Sequence, residues 1–510
     1  MVEQKKRPKK SLKRNALSNV TFFGISASVT FFITPFIIAY LGQRQYGIWA
    51  LVSSFVGYFG LLRFGIGTGV LKFVSYYRSN RTSIEVSKIV NSGLSLYIAI
   101  GLLIPFIGEL IAQPLSSFFL SSSELTTLIK IVAVAAAIET PMHIFDASIR
   151  AYEGFIVSNI LQAVTLIIRS ALLITCILFD LGIEAMVYSL VVVSSIKLLI
   201  TIVAFFLQCP EVKISIKYIN LDSLKELSVF GISIISTTIF SMIVNTLPKV
   251  IIGRYISIEA VGIFHIAKML DTYYRRGIRF ITTVFLPRFS MLSGQNNIKG
   301  IKDLFISSSK IISLISGLIA TGLWTVGPGF IRLWVEESSL KVIPLMLIIT
   351  FSGLVYNSPR LGIELLLALG KQNLHVLMTF METILVLVFS IFLSQSFGLI
   401  GMAYAITIPR FIVYAIISVI FQCKAIGLNP LQFYLKVIFR AWIPVVICTI
   451  IGFSLNFDQH ITTWNVFIEF VIIVTCMYSI LMLLFSLTIE ERFSLETLIT
   501  DRVKKIKKKL

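Results

Sequence analysis

Charge is scarce in this sequence. Of its 510 residues only 14% are charged, whereas 56% are hydrophobic, and the mean hydropathy is +0.90. A water-soluble protein of this length could not hide so much apolar surface, because its own exterior must face water. Cysteine is also sparse. The five, Cys176, Cys209, Cys423, Cys448 and Cys476, lie in apolar segments without pair spacing, and so predict neither a disulfide framework nor a metal site. The four histidines are equally dispersed, and no ligand spacing for a metal is present. Long polar segments are missing too. The longest extracytoplasmic connection on this reading has roughly a dozen residues, which leaves no room for a soluble domain. Gly65, Gly67 and Gly69 form GxGxG, with neither the third-glycine spacing of a dinucleotide site nor the lysine-serine ending of a P-loop. Close helix packing or a kink is the reading for them. No cofactor is expected.

Acidic residues are outnumbered, 25 against 45 basic ones, for a net charge of +20. The excess gathers at the two ends, MVEQKKRPKKSLKRNA and DRVKKIKKKL, and in alternate loops. Aromatic or loop platforms beside those patches are lacking, so a nucleic-acid partner is not expected.

What the sequence does contain is a succession of apolar blocks of about 20 residues or more, each long enough to cross ~30 Å of hydrocarbon as a helix. The first is longer than a signal-peptide core and no A-x-A-like site follows, so it is expected to remain as a span. About fourteen spans are predicted, with boundaries good to several residues. With both termini cytoplasmic, about thirty lysines and arginines fall inside and about six outside. The expected protein is an all-α polytopic membrane protein.

An internal repeat organises the spans. GYFGLLRFGIGTGVLKF from Gly57 aligns with YYRRGIRFITTVFLPRF from Tyr273 at a shift of about 216 residues. Arg63–Phe64 then meets Arg279–Phe280. The same shift lays GIEAMVY from Gly182 over GLIGMAY from Gly398. Each unit would hold six spans, an even number, giving two parallel lobes around a central cavity plus two C-terminal helices. The expected domains are a basic cytoplasmic N-terminus (1–14), a first lobe (15–208), a cytoplasmic linker (209–228), a second lobe (229–423), two additional helices (424–489) and a basic cytoplasmic tail (490–510).

Charges inside the spans mark candidate functional residues, because each costs several kcal/mol at depth unless it is wet or paired. Arg63 lies near the middle of a span, with Arg279 as its repeat counterpart. Together they suggest an anion-binding cavity. The alternative is snorkelling to the headgroups, but Lys72 is nine positions on, ~13 Å along a helix, further than a side chain easily recovers. His265, Lys268, Asp271, Arg275 and Arg279 recur every three or four residues and share a helix face, with Arg276 beside them. Asp271 is expected to pair with Lys268 or Arg275. Glu139, His143, Asp146 and Arg150 make a second stripe; Asn159, Gln162 and Arg169 make a third. Arg360 and Glu364 form an i,i+4 pair next to Asn357. Arg410 and Lys197 read as single charges. Candidate cavity cations are therefore Arg63, Arg279, Arg275, Arg276, Lys268 and Arg360. Asp146, Glu139, Asp271, Glu364 and Glu382 are candidates for ion coupling or for structural pairing.

The segment YLGQRQYGIWALVSSFVGYFGLLRFGIGTG from Tyr40 resembles the first-to-second-span signature of the polysaccharide-transporter branch of the multidrug/oligosaccharidyl-lipid/polysaccharide exporter superfamily. Its YLG, YGIWAL and GLL-x-x-GIG elements carry the likeness, and the closest similarity is to bacterial O-antigen flippases. The resemblance implies a non-enzymatic transporter in the bacterial inner membrane. It would move undecaprenyl-diphosphate-linked oligosaccharide units between leaflets by ion-coupled alternating access. Its partners would be the lipid-linked substrate, membrane lipids, and a glycan polymerase and chain-length regulator. One departure matters: the family pattern is commonly acidic where Arg63 stands, as GLLDxG, so a role for that carboxylate does not carry over. Two other readings stay open. A drug or cation antiporter of the same superfamily should have an acidic or aromatic site, and a membrane-embedded glycan polymerase or ligase should have a sizeable outer loop.

Overall fold

The computed structural model describes residues 9–80, 83–119, 123–335 and 340–486. Most of the basic N-terminus and all of the basic tail at 490–510 lie outside these. Every regular element among the described residues is helical: α1 (Lys9–Leu61), α2 (Ile66–Asn80), α3 (Ser83–Phe118), α4 (Ser123–Ala151), α5 (Phe155–Leu178), α6 (Gly182–Gln208), α7 (Leu221–Tyr255) and α8 (Ile258–Thr283). They continue with α9 (Leu286–Gly294), α10 (Ile298–Thr325), α11 (Gly327–Val335), α12 (Val342–Asn357), α13 (Leu361–Ala368) and α14 (Gln372–Arg410), the last running through a π-helical turn, Phe411–Ser418, into α15 (Val419–Ala425). The chain closes with α16 (Pro430–Phe433), α17 (Arg440–Ser454), α18 (Phe457–His460) and α19 (Trp464–Leu481).

Among the described residues, ten stretches are long and apolar enough to cross a membrane, so the protein is a multi-pass helical membrane protein. Leu102 (75% exposed), Leu178 (76%) and Leu207 (74%) point away from the protein, a placement that lipid permits and water penalises. Two of the ten stretches are broken. Gly42 (φ 67°) interrupts α1 and Gly398 (φ 56°) interrupts α14; both sit in backbone regions that a Cβ disfavours. α8 is not among the ten, since its ionisable stripe makes it too polar.

Helix boundaries follow the shift of about 216 residues. Applied to α3, it spans α10 and α11; applied to α4, it spans α12 and α13. Applied to α5 and α6, it covers α14, the π-helical turn and α15, and it carries Gly182 (φ 77°) onto Gly398.

The chain forms two compact units, residues 1–265 and 266–510. This division falls inside α8, whereas the repeat places its boundary in the 209–228 connection. The reason is packing: α7 lies against α1, α2 and α3. Its Leu227 joins the first unit's core with Ile66, Val70 and Ile144, and a Cβ on Gly231 would stand 2.3 Å from the Phe64 carbonyl oxygen. In the second unit the core gathers Phe289, Phe305, Phe433, Val445 and Tyr478, with the Phe305 and Phe433 rings stacked at 5.0 Å.

Candidate functional site

Arg63 does not sit within a continuous helix. The backbone from Leu62 to Gly65 is a turn between α1 and α2, with Phe64 at φ 47° and Gly65 at φ 67°. The glycine permits the break, and the break frees Arg63 from a lipid-facing ladder. Its Nη1 donates to His143 Nε2 on α4, while its buried Nε has no hydrogen-bond partner among the described residues. Arg63, His143, Asp146 and Arg150 line a cavity of ≈330 Å³, into which Tyr97 also reaches. The Tyr97 hydroxyl accepts from the Gly67 amide at 2.9 Å.

The α4 stripe continues as a chain of pairs. His143 Nε2 is 4.0 Å from Glu139 Oε1, which in turn takes Lys197 Nζ of α6 at 2.5 Å. Lys197 is therefore not a single charge, as its isolation along the chain suggested. Toward the other end, Arg150 Nε forms an ion pair with Asp146 Oδ2 at 2.9 Å and donates to Ser158 Oγ at 2.9 Å, and Ser158 donates to Asp146 Oδ1 at 2.5 Å. Gln162 donates to the same Ser158 hydroxyl at 3.2 Å. A second cavity, ≈300 Å³, is lined by Glu139, Lys197, Gln162 and Arg169.

The second unit is organised around Asp271. Its Oδ2 receives Lys268 Nζ at 3.1 Å, Arg275 Nε at 3.0 Å and Arg410 Nη1 at 3.3 Å. Both helical neighbours expected from the spacing thus bind the same oxygen. Arg410, which read as a single charge, supplies the third cation from α14. It also donates to Glu382 Oε1 at 3.1 Å and to Ser352 Oγ at 2.8 Å, and Tyr414 donates to Glu382 Oε2 at 3.0 Å. Nothing along the chain joins Arg410 to Asp271, 139 residues away. The available clue was physical: an arginine at depth requires an acid, and the spans hold few.

Beside this hub, Arg360 donates to the Tyr356 hydroxyl at 2.6 Å and stands 3.8 Å from Glu364. The Tyr356 ring carries Arg275 and Arg360 over its faces at 5.7 and 5.5 Å, within cation–π range. Arg279 is exposed but within electrostatic reach of Tyr356, Glu364 and His375. Arg276 is exposed and makes no ion pair with described residues. The structure thus brings Lys268, Asp271, Arg275 and Glu382 together, places Arg360, Glu364 and Arg279 beside them, and leaves Arg276 out. Among the described residues no group of three or more His, Cys, Asp or Glu is arranged to hold a metal ion.

Residues 39–344, more than half of the chain, match the profile of a family described as "Polysaccharide biosynthesis protein". The chain belongs to this family. A curated relative, the teichuronic acid biosynthesis protein TuaB of Bacillus subtilis (strain 168), is 26% identical over 156 residues, covering 30% of this chain and 32% of TuaB. The match therefore spans about a third of that relative's length. Among solved structures, the fold is similar to that of the lipid II flippase MurJ in an inward closed conformation. The TM-score is 0.74 at 15% identity, over 91% of this chain and 98% of MurJ. It is also similar to a multidrug resistance MATE family transporter of the MOP superfamily in an inward-facing conformation, with TM-score 0.64 at 13% identity, over 80% and 94% of the two chains. At these identities the likeness establishes the fold.

Proposed function

We propose that this protein is a flippase for polyprenyl-diphosphate-linked oligosaccharide units, carrying them from the cytoplasmic to the outer face of a bacterial inner membrane by alternating access. The observation that carries the reading is a conjunction: a chain of the polysaccharide biosynthesis family with the fold of a lipid II flippase. Reading each broken helix as two crossings, and adding α7 and α8 to the ten apolar stretches, gives fourteen spans. They form two six-span lobes and a final pair, with both termini cytoplasmic.

The chemistry supports this substrate class. A diphosphate offers planar sets of oxygens that suit the guanidinium fork. Arg63, with an unused buried Nε on a cavity that also holds Arg150, has donors to spare. In this reading Arg63 and Arg279 are repeat-related cations for the diphosphate, with Lys268, Arg275, Arg276 and Arg360 adding positive potential. Coupling to an ion gradient falls to a carboxylate. Of the five candidates Glu364 is the least tightly paired, its partner lying 3.8 Å away. The glycan itself, O-antigen or another surface polymer, is open to test, since the curated relative's name attaches to teichuronic acid.

Deletion of the gene tests the reading. Surface glycan should disappear while its lipid-linked unit accumulates in the cytoplasmic leaflet, and the intact gene should reverse both. Unchanged surface glycan, or export of a cationic dye from an exporter-deficient host, would overturn it in favour of a drug or cation antiporter.

A further inference from the structure

The ≈300 Å³ cavity of the first unit holds an imbalance of charge that the glycan reading does not use. Three ionisable side chains line it: Glu139 on α4, Arg169 on α5 and Lys197 on α6. Lys197 and Glu139 are joined at 2.5 Å and neutralise each other. The carboxylate acting on Arg169 is this same Glu139, already committed to Lys197 and flanked by His143 at 4.0 Å. The Arg169 guanidinium makes no hydrogen bond or ion pair with the described residues. An arginine does not shed its proton, and midway along an apolar helix a bare guanidinium is strongly unfavourable. The cavity therefore carries one uncompensated positive charge. Around it stand groups that solvate a small anion: the hydroxyls of Ser53 and Ser194 and the amide of Gln162.

We propose that this cavity is a binding site for one small monovalent anion of the halide class, held by the Arg169 guanidinium. One negative charge restores neutrality; a divalent anion overshoots it and meets Glu139. Every group in the site belongs to α1, α4, α5 or α6 of the first unit. Its lining shares no residue with the Arg63 cavity, although Arg63 acts on Glu139 from outside, and the site does not depend on which glycan, if any, is carried.

The test uses full-length protein purified in detergent. Its Tm is followed by tryptophan fluorescence at fixed sodium and ionic strength, as chloride stepwise replaces gluconate, with sulfate in a parallel series. In the wild type, Tm should rise saturably with chloride, and sulfate should act more weakly. Arg169→Gln should raise the half-saturating chloride concentration at least tenfold, the equivalent of about 1.4 kcal/mol. Lys197→Gln should raise it as well, because it releases Glu139 to pair with Arg169. That variant decides the matter if Arg169→Gln fails to fold. No saturable chloride effect in the wild type would overturn the proposal. Wild-type midpoints in the folded variants, or sulfate acting at lower concentration than chloride, would do the same.

Discussion

Helices α3 to α6 of the first unit match α10 to α15 of the second in their boundaries, but the two units treat charge differently. In the first, ionisable side chains from α4, α5, α6 and the α1–α2 turn open onto two cavities, and the Arg63 Nε there has no hydrogen-bond partner among the described residues. In the second, the central charges on α8 and α14 pair around Asp271; Asp271 and Arg410 are both 0% exposed, and Asp271 Oδ1 and Arg410 Nη2 are left without a hydrogen-bond partner among the described residues. Shifted by about 216 residues, the α4 stripe falls on α12 and α13, where only Arg360 and Glu364 are charged, and the α8 stripe has Arg63 alone as a charged counterpart. The comparison teaches that helix length and helix charge answer to different constraints. Hydrocarbon thickness holds every span to a similar length. A buried charge need only find a partner, and it can do so on any neighbouring helix.

Breaking the Asp271 cluster should have the largest effect. Asp271→Ala leaves Lys268, Arg275 and Arg410 facing one another without their shared carboxylate, at a cost of ~3–5 kcal/mol. Thermal unfolding of the purified protein would show it, and a loss below ~1 kcal/mol would deny that the charges pair around Asp271. Arg410→Met should destabilise by a similar ~3–5 kcal/mol, since Glu382 loses its cation in a buried site. Adding Glu382→Gln should recover a good part of that loss, and strictly additive losses would contradict the pairing.

Opening positions should behave differently. Arg63→Ala should lower glycan export by roughly tenfold to a hundredfold, the worth of one charge-assisted hydrogen-bond set of ~1.5–3 kcal/mol, while stability changes by under ~1 kcal/mol. A variant that unfolds as Asp271→Ala does would erase the distinction between the units. Arg63→Lys should retain part of the export if charge suffices, and little if the planar fork matters. The smallest effect belongs to the exposed pair Arg44–Glu259, 3.9 Å apart. Arg44→Gln should shift stability by less than ~0.5 kcal/mol, measured in the same melts.

The pairs within a helix were legible from spacing alone, because i,i+3 and i,i+4 positions on one helix are neighbours wherever the helix lies. Lys268–Asp271, Asp271–Arg275, Asp146–Arg150 and Arg360–Glu364 are of this kind. Pairs between helices were not legible. Lys197 with Glu139 and Arg410 with Asp271 and Glu382 depend on which helices touch and at what rotation. Tyr356 and Tyr414 were missed for a related reason: a tyrosine in an apolar span reads as core until its hydroxyl is seen against Arg360 or Glu382. The position of Arg63 was read within the span, whereas the Phe64–Gly65 turn sets it between two helices. The glycines hinted at a break without locating it.

Composition and apolar run length by themselves determined that this chain is a polytopic helical membrane protein. The hydrophobic effect acts on summed area, and summed area can be read one residue at a time. The family signature, likewise local, was visible in one continuous stretch from Tyr40. Only the tertiary structure decided that α7 packs with the first unit, that Asp271 is shared by three cations, and that Arg169 has no hydrogen bond or ion pair among the described residues. Electrostatic energy depends on distance between charges, and the fold sets that distance.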